Sequence, residues 1–186
     1  MKVVVTGSHG FIGKNLCIFL REEQHEVMEV HRETPESDVL KYLQQADFVF
    51  HLAGINRPLD PTQFQVGNVD LTRFIVEGLS ASNRDVPLVL TSSSQAEDDN
   101  DYGVSKLAAE SIVQSYSATS GANCYIYRLP NVFGKWCKPN YNSFVATFCN
   151  NVVNGVDISV NDPSSPVKLV YIDDVCASFL KLLNMN

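Results

Sequence analysis

No apolar run in the sequence is long enough to cross a bilayer. No secretory leader is expected, because Met1-Lys2 runs straight into Val3-Val4-Val5, which reads as a strand. Positive charge is scarce: 14 Lys and Arg stand against 21 Asp and Glu, a net charge of −7. A chain of that sign is a poor partner for nucleic acid, where cations must neutralise phosphates. The cysteines Cys17, Cys124, Cys137, Cys149 and Cys176 form no C-x-x-C pair. That spacing argues against a zinc site or a disulfide framework and for a reducing, cytoplasmic setting. No cluster of His and Glu has metal-ligand spacing, so no metal is expected. Repeats, low-complexity tracts and flexible linkers are absent, which leaves no room for a solenoid or a disordered binder.

What is present is a rhythm. Short apolar blocks at 2–6, 27–30, 48–52, 88–90 and 124–127 read as strands. Between them, helical patterns run at 11–23, 67–80 and 102–118, with a short helix capped by Ser37 or Asp38 and ending at 43. Unbroken Val, Ile, Leu and Phe in the strands means burial on both faces, as in a parallel sheet. The predicted fold is α/β, a doubly wound parallel sheet of the Rossmann type. After Arg128 the rhythm changes to a polar loop at 134–142, a helix at 143–153, a turn at 161–166, a strand at 168–171 and a helix at 173–183. Residues 1–130 read as a dinucleotide-binding core, and 131–186 as a partial substrate-binding region with a final strand and helix. That last helix is expected to lack a packing partner, so the chain reads as cut short.

Thr6-Gly7-Ser8-His9-Gly10-Phe11-Ile12-Gly13 lies between the first strand and the first helix. Gly7 suits the tight turn, Gly10 a close approach to a pyrophosphate, and Gly13 close packing of helix on strand. The helix N-terminus then faces the phosphates. At the end of the second strand an NAD site places an acidic residue for the adenosine ribose. Here the sequence reads Val30-His31-Arg32, with Glu29 inside the strand. Arg32 can pair with a 2′-phosphate, and a protonated His9 can reach it, so NADPH is expected over NADH.

Tyr102 and Lys106 are four apart on a predicted helix and share a face. A phenol of pKa about 10 needs help to exchange protons at neutral pH, and a neighbouring ammonium is expected to lower it. A hydroxyl must polarise the substrate carbonyl, and Ser93 or Ser94 at the end of the preceding strand is the candidate. Glu97, Asp98 and Asp99 read as a solvated loop. His51 reads as a packed, hydrogen-bonded histidine, not a catalytic one.

These segments, in order, resemble the extended short-chain dehydrogenase/reductase family, which includes nucleotide-sugar epimerases and dehydratases. The resemblance rests on the glycine loop, Asp47-Phe48-Val49-Phe50-His51-Leu52-Ala53-Gly54, Asn68, Thr91-Ser92-Ser93, Tyr102-Gly103-Val104-Ser105-Lys106, Arg128 through Gly134, and Tyr171-Ile172-Asp173-Asp174-Val175. It implies that Lys106 holds the nicotinamide ribose and that Ser93, with Tyr102, faces the ketone. It also implies that Ser8, Phe11, Ile12, Leu52, Ala53, Gly54, Asn68, Leu129 and Asn131 join the cofactor site, with Phe133 nearby. Sugar 4,6-dehydratases carry Asp-Glu after the hydroxyl residue, where this chain has Ser94-Gln95, so dehydration is disfavoured. Only eight residues separate Ser93 from Tyr102, so that loop must be tight.

A narrower resemblance, carried by 51–58, 134–143 and 146–149, is to the CapF-type bifunctional enzymes of capsular-polysaccharide synthesis. It implies NADPH-dependent reduction of the C4 ketone of a UDP-4-keto-6-deoxy-N-acetylhexosamine, with a zinc cupin domain that this chain lacks. In the loop, Lys135 and Lys138 offer charge to a diphosphate, Trp136 and Tyr141 offer ring faces, and Asn140 and Asn142 offer hydrogen bonds. With Ser94 and Asn131 these are the candidate UDP-sugar contacts. A homodimer through the helices near Gly67 and Tyr102 is implied as well. The rival readings are an epimerase or dehydratase with tightly held NAD, and a non-catalytic dinucleotide-binding module.

Overall fold

The computed structural model describes residues 1–160 and 162–185. Five parallel strands form the central sheet: β1 (Lys2–Thr6), β2 (Glu26–Val30), β3 (Phe48–His51), β4 (Leu88–Ser93) and β5 (Cys124–Leu129). They lie in the order β2-β1-β3-β4-β5. The chain steps outward from β1 to β2, then returns past β1 to β3, which leaves a switch point between β1 and β3 where ligands bind in sheets of this kind. A separate two-stranded parallel sheet pairs β6 (Asn131–Phe133) with β7 (Leu169–Tyr171).

Alternation along the strands divides the core into two layers. Val4, Val49, Leu88 and Leu90 face α2 (Glu36–Gln45), α4 (Leu71–Ser80) and α5 (Asp101–Ser120), where Leu43, Ile75, Leu79, Val113 and Tyr116 complete the layer. Val3, Val5, Phe48, Phe50 and Val89 face α1 (Phe11–Glu22) and α7 (Ile172–Leu183), with Leu16, Leu20, Val175 and Phe179. The expectation that the final helix has no partner is therefore corrected. Ile172, Cys176 and Phe179 are wholly buried, and Phe179 packs against Phe50 and Tyr127 at ring-centroid distances of 5.4 and 4.8 Å. The apolar face of 173–183 needed a sheet to cover, and the exposed face of β1 and β3 supplied it.

Other boundaries move for local reasons. The second helix starts at Glu36, not after a Ser37 or Asp38 cap. Pro35 precedes it, and the carboxylates of Glu36 and Asp38 fall in its first turn, where the helix dipole favours them. The helix expected from Gly67 begins earlier, as α3 (Thr62–Phe64) and a π-helical segment, Gln65–Asp70, that leads into α4. β4 and β5 extend through polar residues because those side chains find partners in α5. The turn expected at 161–166 lies partly outside the described residues; a turn within it places Ser164 N–H on the Asp162 carboxylate at 2.9 Å. Ser143 caps α6 (Phe144–Val153) by accepting from Ala146 N–H. Cys17 and Cys176 are buried, and burial pushes both thiols up to about 12. All five cysteines are free. Among the described residues no helix is long and apolar enough to cross a membrane.

Candidate active site

The glycine loop fills the switch point. Gly7 has φ +68°, and a Cβ there would lie 2.8 Å from Ala53 N, so loop and β3 end are in backbone contact. A Cβ on Gly13 would lie 2.2 Å from Gly7 O, which only glycine permits. The first turn of α1 is thereby drawn onto β1, with its free N–H groups aimed into a cavity of about 880 Å³. That volume suits a large ligand, and a backbone cradle that excludes side chains suits a pyrophosphate. The residues fit a dinucleotide.

Most of the sequence-predicted residues meet in this one cavity. Gly7, His9, Gly10, Phe11, Ile12, Gly13, Arg32, Leu52 and Gly54 line its cofactor side. Ser93, Ser94, Tyr102, Lys106, Leu129, Asn131, Trp136, Lys138, Tyr141 and Asn142 line the remainder. Phe133 and Asn140 do not line it, and four further predicted residues stand outside it. Ser8 is buried, and its hydroxyl donates to Val30 O at 3.2 Å. Ala53 gives its N–H to Thr6 Oγ1 at 3.1 Å. Asn68 is buried behind the loop, accepting from Ile55 N–H at 2.8 Å and donating to Ile55 O and Ser105 Oγ. Lys135 lies over the Trp136 ring, 4.3 Å from its centroid, while its carbonyl accepts from Asn15. These four support the site from behind or from its rim.

Ser93, rather than Ser94, is the hydroxyl hydrogen-bonded to Tyr102, and it also accepts from Gln95 N–H at 3.1 Å. The tight loop after it is a run of turns: Ala96 N–H donates to Ser93 O and Asp98 N–H to Gln95 O. Asn100 caps α5, accepting from Gly103 N–H at 2.9 Å, so Tyr102 stands in the helix's first turn.

The electrostatics correct one expectation. Burial pushes the Tyr102 phenol above its ordinary value, opposed by the Ser93 hydrogen bond. Lys106 does not draw it down. The ammonium lies 6.0 Å from the ring centroid and donates to Thr91 O at 3.1 Å. Burial lowers Lys106 itself to about 8, against the pull of the Glu110 carboxylate. A phenol held neutral in this way keeps its proton near neutral pH. His51 is buried between Thr6 and Thr72, and desolvation, with Lys106 nearby, lowers it to about 3; it is a neutral, packed histidine.

Arg32 lines the cavity, exposed, and makes no ion pair among the described residues. Glu29 lies within β2 and is paired with Arg21, with His9 Nε2 3.9 Å away. His9 stacks on His31 at 4.0 Å. Glu29 is therefore already engaged by a cation.

Sequence reasoning missed a buried cluster behind Ser93. Glu110, one turn past Lys106, accepts from Ser92 and from the Arg128 fork, with Arg128 Nη2 at 2.8 Å. Arg128 also pairs with Glu97, whose side chain stays 74% exposed in the solvated loop. The signal was there in the i, i+4 spacing of Lys106 and Glu110. Asn56, Arg57, Gln95 and Asn100 also line the cavity and carried no distinguishing pattern.

The chain matches the model of the NAD dependent epimerase/dehydratase family over residues 3–186. It is 48% identical over 185 residues to the UDP-2-acetamido-2,6-beta-L-arabino-hexul-4-ose reductase of Pseudomonas aeruginosa, covering 99% of this chain and 50% of that one. Among solved structures it resembles the capsular polysaccharide assembling protein CapF of Staphylococcus aureus, with TM-score 0.89 and 43% identity over 99% of this chain and 50% of that one. The UDP-glucuronic acid 4-epimerase of Bacillus cereus, solved with NAD, has TM-score 0.86 at 22% identity over 99% of this chain and 74% of that one, a likeness of fold. The chain thus spans about half the length of the P. aeruginosa reductase and of CapF. It belongs to the NAD-dependent epimerase/dehydratase family.

Proposed function

We propose that this chain is the reductase portion of an enzyme that reduces the C4 ketone of a UDP-4-keto-6-deoxy-N-acetylhexosamine, a precursor of surface polysaccharide, with NADPH. The observation that carries the reading is the group of half-buried Tyr102 with buried Ser93 and Lys106 in the lining of a dinucleotide-sized cavity, together with 48% identity to a UDP-keto-sugar reductase. When bound, the reduced nicotinamide supplies hydride. Ser93 orients and polarises the ketone oxygen. Tyr102, kept protonated by burial, hands its proton to that oxygen. Lys106 holds the ribose hydroxyls from the side where it meets Thr91 O. Trp136, Lys138, Tyr141, Asn142, Ser94 and Asn131 form the UDP-sugar side. Arg32, unpaired at the adenosine end, favours the 2′-phosphate of NADPH.

Net consumption of reduced nicotinamide tests this against the rival with tightly held NAD. A reductase oxidises one NADPH for each ketone lost. An epimerase returns its cofactor unchanged, so turnover without net oxidation would overturn the proposal.

A further inference from the structure

We propose that Thr72 and His51 are positioning residues for the reaction, forming the buried half of a one-directional hydrogen-bond chain that ties the glycine loop to the catalytic helix. Ala53 N–H donates to Thr6 Oγ1 at 3.1 Å, and Thr6 Oγ1 lies 2.7 Å from His51 Nδ1. His51 Nε2 lies 3.0 Å from Thr72 Oγ1, which donates to Asn68 O at 2.6 Å. Asn68 then holds Ile55 through two bonds and Ser105 Oγ through a third at 2.9 Å, and Ser105 donates to Tyr102 O at 2.8 Å.

Proton counting fixes the direction. Thr72 has one hydroxyl hydrogen, and the carbonyl of Asn68 takes it. His51 Nε2 must therefore be the donor to Thr72, so a neutral ring presents bare Nδ1. Thr6 then donates to Nδ1 and accepts from Ala53. Each donor has one acceptor, and Thr6, His51, Thr72, Asn68 and Ser105 are all buried. The other tautomer would aim two donors at Thr6 Oγ1. A side branch reaches the ammonium: Thr91 Oγ1 donates to His51 O at 3.4 Å, and Thr91 O accepts from Lys106. Gly54, just past the chain's start, is close enough that a Cβ there would lie 3.0 Å from Lys106 Nζ and 3.1 Å from Asn68 Oδ1. The order of the chain thus sets where Lys106 and Tyr102 stand relative to the glycine loop. Thr72 is on α4 and His51 on β3, and neither lines the cavity.

The test replaces Thr72 with valine, of the same shape but without a hydroxyl, and with serine, which keeps it. The kinetic arm rests on the reductase reading and is measured in the full-length protein. Thr72→Val is expected to lower kcat about tenfold while the cofactor KM stays within about threefold, and Thr72→Ser to return kcat to about wild type, since small misplacements of reacting groups are costly. A folded Thr72→Val with wild-type kcat, or equal losses in Val and Ser, would overturn the positioning role. A nitrogen-15 spectrum of the histidine rings decides without turnover. The wild-type chain should show one ring locked as the Nε2–H tautomer, and a His51 protonated on Nδ1 refutes the chain even if Thr72→Val fails to fold. A wild type inactive on the keto-sugar but with that tautomer would count against the reductase reading and leave the hydrogen-bond chain standing.

Discussion

The two sheets of this molecule are built to different standards. In the five-stranded sheet, β1, β3 and β4 are buried along almost their whole length, and apolar residues of the flanking helices pack against both faces. In the region between β6 and β7, α6 has no buried residue, and Val153 is 84% and Val152 67% exposed. Val156, Ile158, Val160, Val167, Leu169 and Tyr171 are exposed as well. The first region holds its site rigidly from below. The second carries the candidate sugar contacts Trp136, Lys138, Tyr141 and Asn142 on a loop whose Trp136 and Asn140 have φ +67° and +55°. The buried framework thus lies where the cofactor and proton donor would sit, and an exposed loop carries the candidate sugar contacts.

The contrast can be broken by stability. Phe179→Ala removes a fully buried ring and should cost about 3–5 kcal/mol in denaturant unfolding. Val153→Ala in α6 should stay within about 0.5 kcal/mol. Comparable losses would mean that α6 is covered in solution and that the two regions do not differ.

Acid sharpens it. His51 is lowered from 6.5 to about 3 by burial, so its neutral form belongs to the folded state. Between those values the unfolded chain binds the extra proton, and stability is lost as pH falls from about 6.5 towards 3, by several kcal/mol. Unfolding curves of His51→Gln should flatten over that window. A wild-type curve without this slope would contradict the buried, neutral ring. Lys106, lowered from 10.5 to about 8 by burial, acts in the alkaline range. Its charged form is penalised on folding below about pH 8, and the penalty is relieved as pH rises from 8 to 10.5.

A smaller effect than the loss of Phe179 is expected at the cofactor's far end. Arg32→Ala should reduce the preference for NADPH over NADH about ten- to a hundredfold, the worth of a charged hydrogen bond. Titration of both cofactors against wild type and variant measures it, and an unchanged preference would remove Arg32 from the site.

Much of this was legible in the sequence because it depends on spacing. The strand-glycine-helix unit, the i, i+4 pair Tyr102 and Lys106 and the hydroxyl-ended β4 follow from local geometry. What escaped depends on tertiary partners. The final helix looked unpartnered because its cover, the β1–β3 face, lies more than a hundred residues upstream. The direction of the Tyr102 shift depends on burial, which no spacing reveals. The same holds for Glu110, whose partner Arg128 is brought to it by the pairing of β4 with β5.

The central proposal is that Tyr102 donates the proton to the ketone oxygen that Ser93 polarises. Its most direct test is Tyr102→Phe in the full-length protein, with cofactor affinity and reductase turnover measured on the same sample. The account predicts cofactor binding close to wild type and turnover lowered by about 100- to 10,000-fold, the usual worth of general acid catalysis. Turnover within about threefold of wild type, with binding intact, would contradict it.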